Sequence, residues 1–420
     1  MVIFDLDGTL YRTHETSLPP LYETCRKYNL TLNPEDERVL LFTTNDTLLD
    51  RIAPDMSQEQ REQFKRDIHI REIEAIKEKG RLFDGIKNLL SDLSSDKIDM
   101  AICGMGSKEY IETVLARCNI AQYFKYVYPS VKGLTKSQRL KELLYESKLK
   151  SDECIFVGDS VTDMTAADDN GIPFIGINWG YGAKEISEYD AIAGNISQLK
   201  SFIYLFSVFS KVGRDIKSLD TPIIIGVNGV DTSGKTEFSI GLQRFLEHRG
   251  FHTQMIHLDD FHNQRYVRMK DNSPEGYISN AFDMKTLEKL LDEIKAGPID
   301  RKINLLDLDS DTYTNMQHYK TTGKSVVILE GTMLYRPPLD SLFTYKIFLD
   351  ISFDEVLRRA IIRDVPKYGK DFLQKYIDRY IPAQKIYLDR FHAKENSHLI
   401  IDNNDFGKPI IVQNNNVITS

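Results

Sequence analysis

Ile223-Ile224-Ile225-Gly226-Val227-Asn228-Gly229-Val230-Asp231-Thr232-Ser233-Gly234-Lys235-Thr236 decides how the second half of this chain is read. Five residues with the apolar character of a buried strand lead into Gly-x4-Gly-Lys-Thr, and an amphipathic segment, Glu237–Arg249, follows. Strand, glycine loop and helix in that order form a phosphate-binding loop: backbone N–H groups at a helix N-terminus wrap the anion, and glycine lets the backbone come close. Gly229, Val230, Asp231, Thr232, Ser233 and Gly234 would cradle the phosphates of ATP, the expected phosphoryl donor. Lys235 would reach the β/γ oxygens, and the Thr236 hydroxyl would ligate Mg²⁺.

Two later runs extend the site. Met255-Ile256-His257-Leu258 leads into Asp259, a carboxylate placed to take a proton from a substrate hydroxyl, and Val326-Val327-Ile328-Leu329 delivers Glu330 as a Mg²⁺ partner, with Gly331 leaving room beside it. Further on, Arg359 and Arg363 lie four apart on one helical face, where they would clamp the transferred phosphoryl.

Outward from this stretch, apolar runs alternate with helical patterns through both halves, as doubly wound parallel sheets require. Strands are expected at Val2–Phe4, Met100–Cys103, Cys154–Val157 and Phe174–Ile177, then at Ile223–Val227, Gln254–Leu258, Ser325–Leu329 and Lys346–Asp350. The stretch from Tyr11 to Lys79 has helical spacing and charge pairs and reads as an inserted helical subdomain. Phe202–Phe209 is an apolar helix between the two halves. At 420 residues, 41% hydrophobic and 28% charged, the chain has the size of two globular domains.

The first half carries its own chemistry. Asp5 and Asp7 stand at the end of the Val2–Phe4 strand, where a period of two sends both carboxylates to one face and Gly8-Thr9 permits the turn that exposes them. Ile155-Phe156-Val157 delivers two more, Asp159 and Asp163, at another strand's C-terminal end, and Lys136 opens a helical segment between the two sets. A carboxylate nucleophile, a neighbouring acid/base and cations are what covalent phosphate-ester hydrolysis needs.

With these motifs, residues 1–200 resemble the haloacid dehalogenase superfamily of phosphatases, in particular its phosphoglycolate-phosphatase-like members. The resemblance implies Asp5 as nucleophile, Asp7 as general acid/base and Lys136 as stabiliser of the phospho-aspartyl charge. It implies Mg²⁺ on Asp5, the Asp7 carbonyl and Asp159, with Asp163 in support, and the helices at about 12–80 as a cap that selects substrate. One position departs from it: where the family ends its second motif with Ser or Thr, this chain has Gly104, which removes a phosphate hydrogen bond unless Ser107 or backbone amides replace it.

Residues 221–404 resemble the uridine-kinase-like phosphate-loop kinases through Gly229–Thr236, Asp259-x-Phe261, Asn280–Asp283, Glu330-Gly331 and the Arg359/Arg363 segment. Asp259 is the implied base. The nucleoside contacts depart from the pattern, since the aligned positions carry Asn280, Leu306 and Asp311, which points to another small hydroxylated acceptor. The expected organisation is an α/β phosphatase-like domain over 1–200, a linker helix at 201–220 and a kinase-like domain over 221–420.

A net charge of -8 argues against a broad nucleic-acid or membrane surface and favours small phosphorylated or hydroxylated substrates. Cys25, Cys103, Cys118 and Cys154 show no metal or disulfide spacing, and a cytoplasmic location is expected. His257, His262, His392 and His398 lack metal-ligand spacing; Trp179 and Tyr181 would border the first cleft. Two alternatives share the same motifs: a polynucleotide kinase-phosphatase acting on nucleic-acid ends, and a kinase whose phosphatase-like half is a non-catalytic regulator.

Overall fold

The computed structural model describes residues 1–33, 45–186 and 191–415. The chain divides into two compact units, Met1–Phe206 and Ser207–Ser420.

The first unit is built on a six-stranded parallel sheet of β1 (Val2–Phe4), β2 (Met100–Cys103), β3 (Tyr126–Tyr128), β4 (Ile155–Gly158), β5 (Phe174–Ile177) and β6 (Ile192–Ala193), ordered β3-β2-β1-β4-β5-β6. Every residue of β1, β2, β4 and β5 is buried, as expected of parallel strands covered on both faces. The order reverses beside β1, so the loops after β1 and β4 open at one switch point. Helices His14–Lys27, Asn45–Ile52 and Gln58–Lys79 form the insertion, and Leu21, Cys25, Leu48, Leu49, Phe64 and Ile68 make its own small core. The part of this stretch at 34–44 lies outside the described residues.

The second unit carries a six-stranded sheet of β7 (Ile223–Gly229), β8 (Thr253–His257), β11 (Val326–Gly331), β12 (Tyr345–Asp350), β13 (Leu399–Asp402) and β14 (Ile410–Asn414), ordered β14-β13-β12-β7-β11-β8. All its pairings are parallel except β13 with β14. A separate antiparallel hairpin, β9 (Asp300–Asp307) and β10 (Thr312–Lys320), stands apart from the sheet. The division between units falls within the helix Ile196–Ile216: Leu199, Ile203 and Tyr204 join the core of the first, while the Phe209 ring meets Phe238 and Phe245 in the second. Among the described residues no helix is long and apolar enough to cross a membrane.

Candidate active sites

In the first unit the carboxylates gather at the switch point. β1 ends at Phe4, so Asp5 and Asp7 lie in the loop that follows and are placed by separate contacts, not by the strand's two-residue period. Asp5 is fixed by its N–H on the Val157 carbonyl (2.9 Å), and Lys136 Nζ donates to its Oδ1 at 2.6 Å. The same Lys136 ammonium donates to Asp163 Oδ1. Thr135 caps the helix Lys136–Ser147 in a capping box with Gln138, which puts Lys136 on the first helical position, facing the sheet end.

Asp159 follows β4 and is held from the loop after β5, where the N–H groups of Tyr181 (2.6 Å) and Gly182 (3.2 Å) donate to its Oδ2. Asp163 Oδ2 accepts from the Ser160 hydroxyl at 2.7 Å, and Ser160 caps the helix Val161–Asp169 in return. Oxygens of Asp5, Asp159 and Asp163, all buried, lie within 4.8 Å of one another. Three hard oxygen donors packed this closely suit a divalent ion such as Mg²⁺. The Asp7 side chain lies outside this group and is held by the hydroxyls of Thr13 (2.6 Å) and Tyr110 (2.7 Å).

Burial sets the electrostatics. It drives the Asp5 carboxyl well above the usual range, Lys136 opposing and Asp163, Asp159 and Asp7 adding to it. Asp159 is pushed to about 6 by burial and by Asp163. Asp7 is also raised by burial, against its two hydroxyl donors. Desolvation pulls the Lys136 ammonium down, but Asp163 and Asp5 outweigh it and hold the charge firmly. Gly8 makes the turn at φ +78°, and a Cβ there would stand 2.6 Å from Asp159 Oδ2.

Trp179 Nε1 donates to the Thr9 carbonyl at 3.2 Å, and the Tyr181 hydroxyl meets His14 N (3.0 Å) and Nδ1 (2.8 Å). Both aromatics therefore border the cleft. Gly104 follows β2, and Ser107 caps the helix Lys108–Arg117 by accepting from Tyr110 N, which leaves its O–H as a donor. Cys25, Cys103 and Cys154 are buried thiols and Cys118 is half-buried; Cys103 is pushed to about 12, mainly by burial.

In the second unit, β7 feeds the loop 230–234 and the helix Lys235–Glu247. Gly234 turns at φ +87°, and a Cβ there would lie 2.5 Å from the Phe406 ring. Lys235 Nζ folds back onto the Val230 carbonyl (2.9 Å), and Thr236 Oγ1 donates to Glu330 Oε1 (3.1 Å). His257 Nδ1 lies 2.8 Å from the same Glu330 oxygen, which raises the imidazole's proton affinity. The room expected beside Gly331 is occupied by Leu258, whose Cβ would be 2.4 Å from an added side chain.

Asp259 sits in the turn Leu258–Phe261 just past β8. Asp231 is raised by burial, with Lys235 lowering it and Asp259 raising it, so the loop carboxylate lies in the field of both. Its N–H is taken by Gln384 Oε1 at 3.1 Å.

The two arginines expected to act together as a clamp divide. Arg359, 5% exposed, donates to the carbonyls of Thr232 (3.1 Å), Asn403 (2.6 Å) and Asn404 (3.0 Å), pairs with Glu355 and stacks on Phe406, which fixes the back of the phosphate loop. Arg363 is largely exposed and bonds to Asp364 (2.8 Å) and the Tyr376 hydroxyl (3.0 Å). The main-chain carbonyl of Asn280 accepts from Asn263 Nδ2 at 3.0 Å, Leu306 is buried, and Asp311 accepts from Arg265 N and faces Arg268 at 3.5 Å. His262 stacks on Phe282 at 4.5 Å, while burial lowers its proton affinity. His398 packs on Tyr345 and accepts from Lys346 N, a structural role.

Residues 2–177 match the model of haloacid dehalogenase-like hydrolases, and residues 224–404 that of the phosphoribulokinase/uridine kinase family. A uridine kinase of Ligilactobacillus salivarius is 32% identical over 40% of this chain and 79% of its own length. A uridine-cytidine kinase A of Dictyostelium discoideum is 30% identical over 44% of this chain, a match that spans only 39% of that protein. A phosphoglycolate phosphatase of Photorhabdus laumondii is 27% identical over 49% of this chain and 93% of its own length. The chain thus belongs, through its second half, to the phosphoribulokinase/uridine kinase family, and it carries a haloacid dehalogenase-like hydrolase domain in its first.

Proposed function

We propose that the chain is a bifunctional enzyme, a Mg²⁺-dependent phosphomonoester hydrolase in its first half and an ATP-dependent kinase of a small hydroxylated metabolite in its second. The buried Asp5–Lys136–Asp163 array, with Asp159 beside it, carries the reading. Four ionisable groups are taken out of water there at a cost of several kcal/mol each, a cost a scaffold has no reason to retain.

In the hydrolase, Asp5 Oδ attacks phosphorus and the ester oxygen leaves with a proton from Asp7. The raised proton affinity of Asp7 supports a carboxyl that starts protonated. Asp7 then takes a proton from the water that attacks the aspartyl phosphate, which releases inorganic phosphate and regenerates Asp5. Lys136 balances the charge of the phosphorylated state. Mg²⁺ on Asp5, Asp159, Asp163 and the Asp7 carbonyl would neutralise phosphoryl oxygens.

In the kinase, the amides of 229–236 hold the ATP phosphates, Lys235 leaves the Val230 carbonyl for the β/γ oxygens, and Asp259 takes the acceptor's proton. Thr236 and Glu330 suit a Mg²⁺ ion held through oxygen. Arg359 supports the loop from behind, and Arg363 would have to leave Asp364 and Tyr376 to approach the transferred group. The acceptor is nucleoside-like or sugar- or polyol-like. A buried, apolar Leu306 and an Asp311 already engaged by Arg265 N and Arg268 support an acceptor other than uridine. The use of ATP and the cysteine thiols support a cytoplasmic location.

The test is release of phosphate from p-nitrophenyl phosphate with Mg²⁺, and ADP formation from ATP with a panel of hydroxylated acceptors. Chelation by EDTA should stop both and Mg²⁺ restore both. Undiminished phosphate release in EDTA would contradict the reading.

Gly104 supplies a second test. A Cβ built there meets Ile111 Cδ1 at 3.4 Å and Leu6 Cβ at 3.7 Å, and stands 4.0 Å from Asp5 Oδ1, so serine fits and its hydroxyl reaches the phosphoryl position. A hydrogen bond to a charged group adds about 1.5–3 kcal/mol, so Gly104→Ser is expected to raise kcat/KM for an aryl phosphate about 10- to 100-fold. An unchanged or lower value would mean that the phosphate does not lie against this position.

A further inference from the structure

Tyr110 enters the first site from the opening turn of the helix Lys108–Arg117, and its position is fixed on several sides. Ser107 Oγ accepts from its N–H at 3.2 Å, and its ring joins Tyr11 and Ile111 in the core cluster. The ring passes so close to Gly106 that a Cβ there would stand 2.6 Å from Cδ1 and 3.2 Å from Cε1. Gly106 has no left-handed backbone angle, so what glycine supplies at 106 is room for this ring. The Gly106 carbonyl is pinned in turn by Ser130, through N at 2.9 Å and Oγ at 3.1 Å. A phenylalanine would fill the same cluster without the cost of burying a hydroxyl.

That hydroxyl donates to Asp7 Oδ1 at 2.7 Å, and the Thr13 hydroxyl, at the start of the insertion, donates to the same oxygen at 2.6 Å. Both donors are buried. In a protonated carboxyl the oxygen that accepts two hydrogen bonds is the carbonyl one, and the other carries the proton. The two hydroxyls therefore mark Oδ2 as the oxygen of Asp7 that holds the proton for the leaving group.

We propose, resting on the hydrolase reading, that Tyr110 is a positioning residue for the general acid and equips the enzyme for esters of alkyl alcohols, whose departure needs a proton. The P–O bond to the alcohol breaks, its electron pair passes to the ester oxygen, and the Oδ2 proton passes to that oxygen, so a neutral alcohol leaves and Asp7 becomes a carboxylate. As the charge develops, the bond from Tyr110 to Oδ1 turns from a neutral hydrogen bond into a charge-assisted one, about twice as strong. Its gain is therefore realised in the transition state and not in the bound substrate. A p-nitrophenolate leaves without a proton and draws little on this bond.

The experiment measures kcat/KM, which covers the steps through loss of the alcohol, for benzyl phosphate and p-nitrophenyl phosphate, two esters of similar bulk, on the full-length protein with thermal melting in parallel. Tyr110→Phe keeps the ring and removes the hydroxyl; the benzyl-to-p-nitrophenyl ratio is expected to fall about tenfold or more below that of the wild type. Gly106→Ala, whose Cβ displaces the ring, is expected to lower the ratio in the same direction with the hydroxyl still present, and it serves as the deciding variant if Tyr110→Phe does not fold. An equal loss on both esters means that Tyr110 only fills the core and overturns the assignment. So does a ratio unmoved in the folded variant, or a wild type that hydrolyses the p-nitrophenyl ester alone. A wild type that hydrolyses neither ester removes the hydrolase reading, and this assignment with it.

Discussion

Lys136→Met is expected to lower phosphate release from an aryl ester by at least about 10³-fold, because the variant loses the only cation bonded to Asp5 among the described residues. That factor corresponds to about 4 kcal/mol of transition-state stabilisation, ordinary for a preorganised charge in a water-poor site. Stability should fall as well. Removing one partner from a buried ion pair leaves an uncompensated charge and costs about 3–5 kcal/mol, here on Asp5 and Asp163 together.

The pH dependence fixes the sign. The Asp5 carboxyl already binds its proton more tightly in the folded protein than an ordinary carboxyl does, and losing Lys136 strengthens this. A group whose folded proton affinity exceeds its unfolded one favours folding at low pH and loses that contribution as pH rises, so the variant's deficit should be smaller at about pH 5 than at about pH 8. Mg²⁺ should recover part of the melting temperature by returning positive charge to the carboxylates. Melting at the wild-type temperature in EDTA, or turnover within tenfold of wild type, would contradict this account of Lys136.

Lys235→Ala should act differently: a loss of phosphoryl transfer of at least about 10³-fold with little loss of stability. The loop does not depend on Lys235 for its shape. Arg359 holds the Thr232 carbonyl, Asn403 Nδ2 holds the Ser233 carbonyl at 2.7 Å, and Asn228 Oδ1 takes the Gly229 N–H at 2.9 Å. Lys235 contributes one bond, to the Val230 carbonyl, so stability should change by less than about 1 kcal/mol. The charge it would bring to the β/γ oxygens has no such substitute on the loop. ADP formation is the readout for activity and chemical denaturation the readout for stability. A stable variant that keeps a tenth or more of its transfer rate would contradict the role given to Lys235.

The sheets were legible from sequence because parallel strands buried on both faces are continuous apolar runs, and all eight expected ones are present within one or two residues. The hairpin β9–β10 escaped because its residues are mostly polar and half-exposed or exposed, so no apolar run marks it. β3 and β6 escaped because three and two residues are too few to show a period.

The charged residues expected in the two candidate sites were legible where a motif holds them close in sequence. Their supports were not. Asp7 is held by Tyr110, 103 residues away, and the amides that grip Asp159 come from Tyr181 and Gly182, across a strand and a helix. His257 was set aside for want of metal-ligand spacing, yet it pairs with Glu330 across the sheet, a contact set by the register of β8 beside β11. Arg359 shows how spacing misleads: four residues from Arg363 on one helix, it points into the loop's carbonyls, because the neighbouring chain at 403–404 folds over it.

The claim that two separate phosphate chemistries reside on one chain is tested most directly by a crossed assay. Wild type, Asp5→Asn and Lys235→Ala are each measured for phosphate release from p-nitrophenyl phosphate and for ATP-dependent phosphorylation of the best acceptor, at matched protein concentration. Asp5→Asn should lose phosphate release and keep transfer, and Lys235→Ala should do the reverse. Loss of both activities in either folded variant, or survival of both, would contradict it.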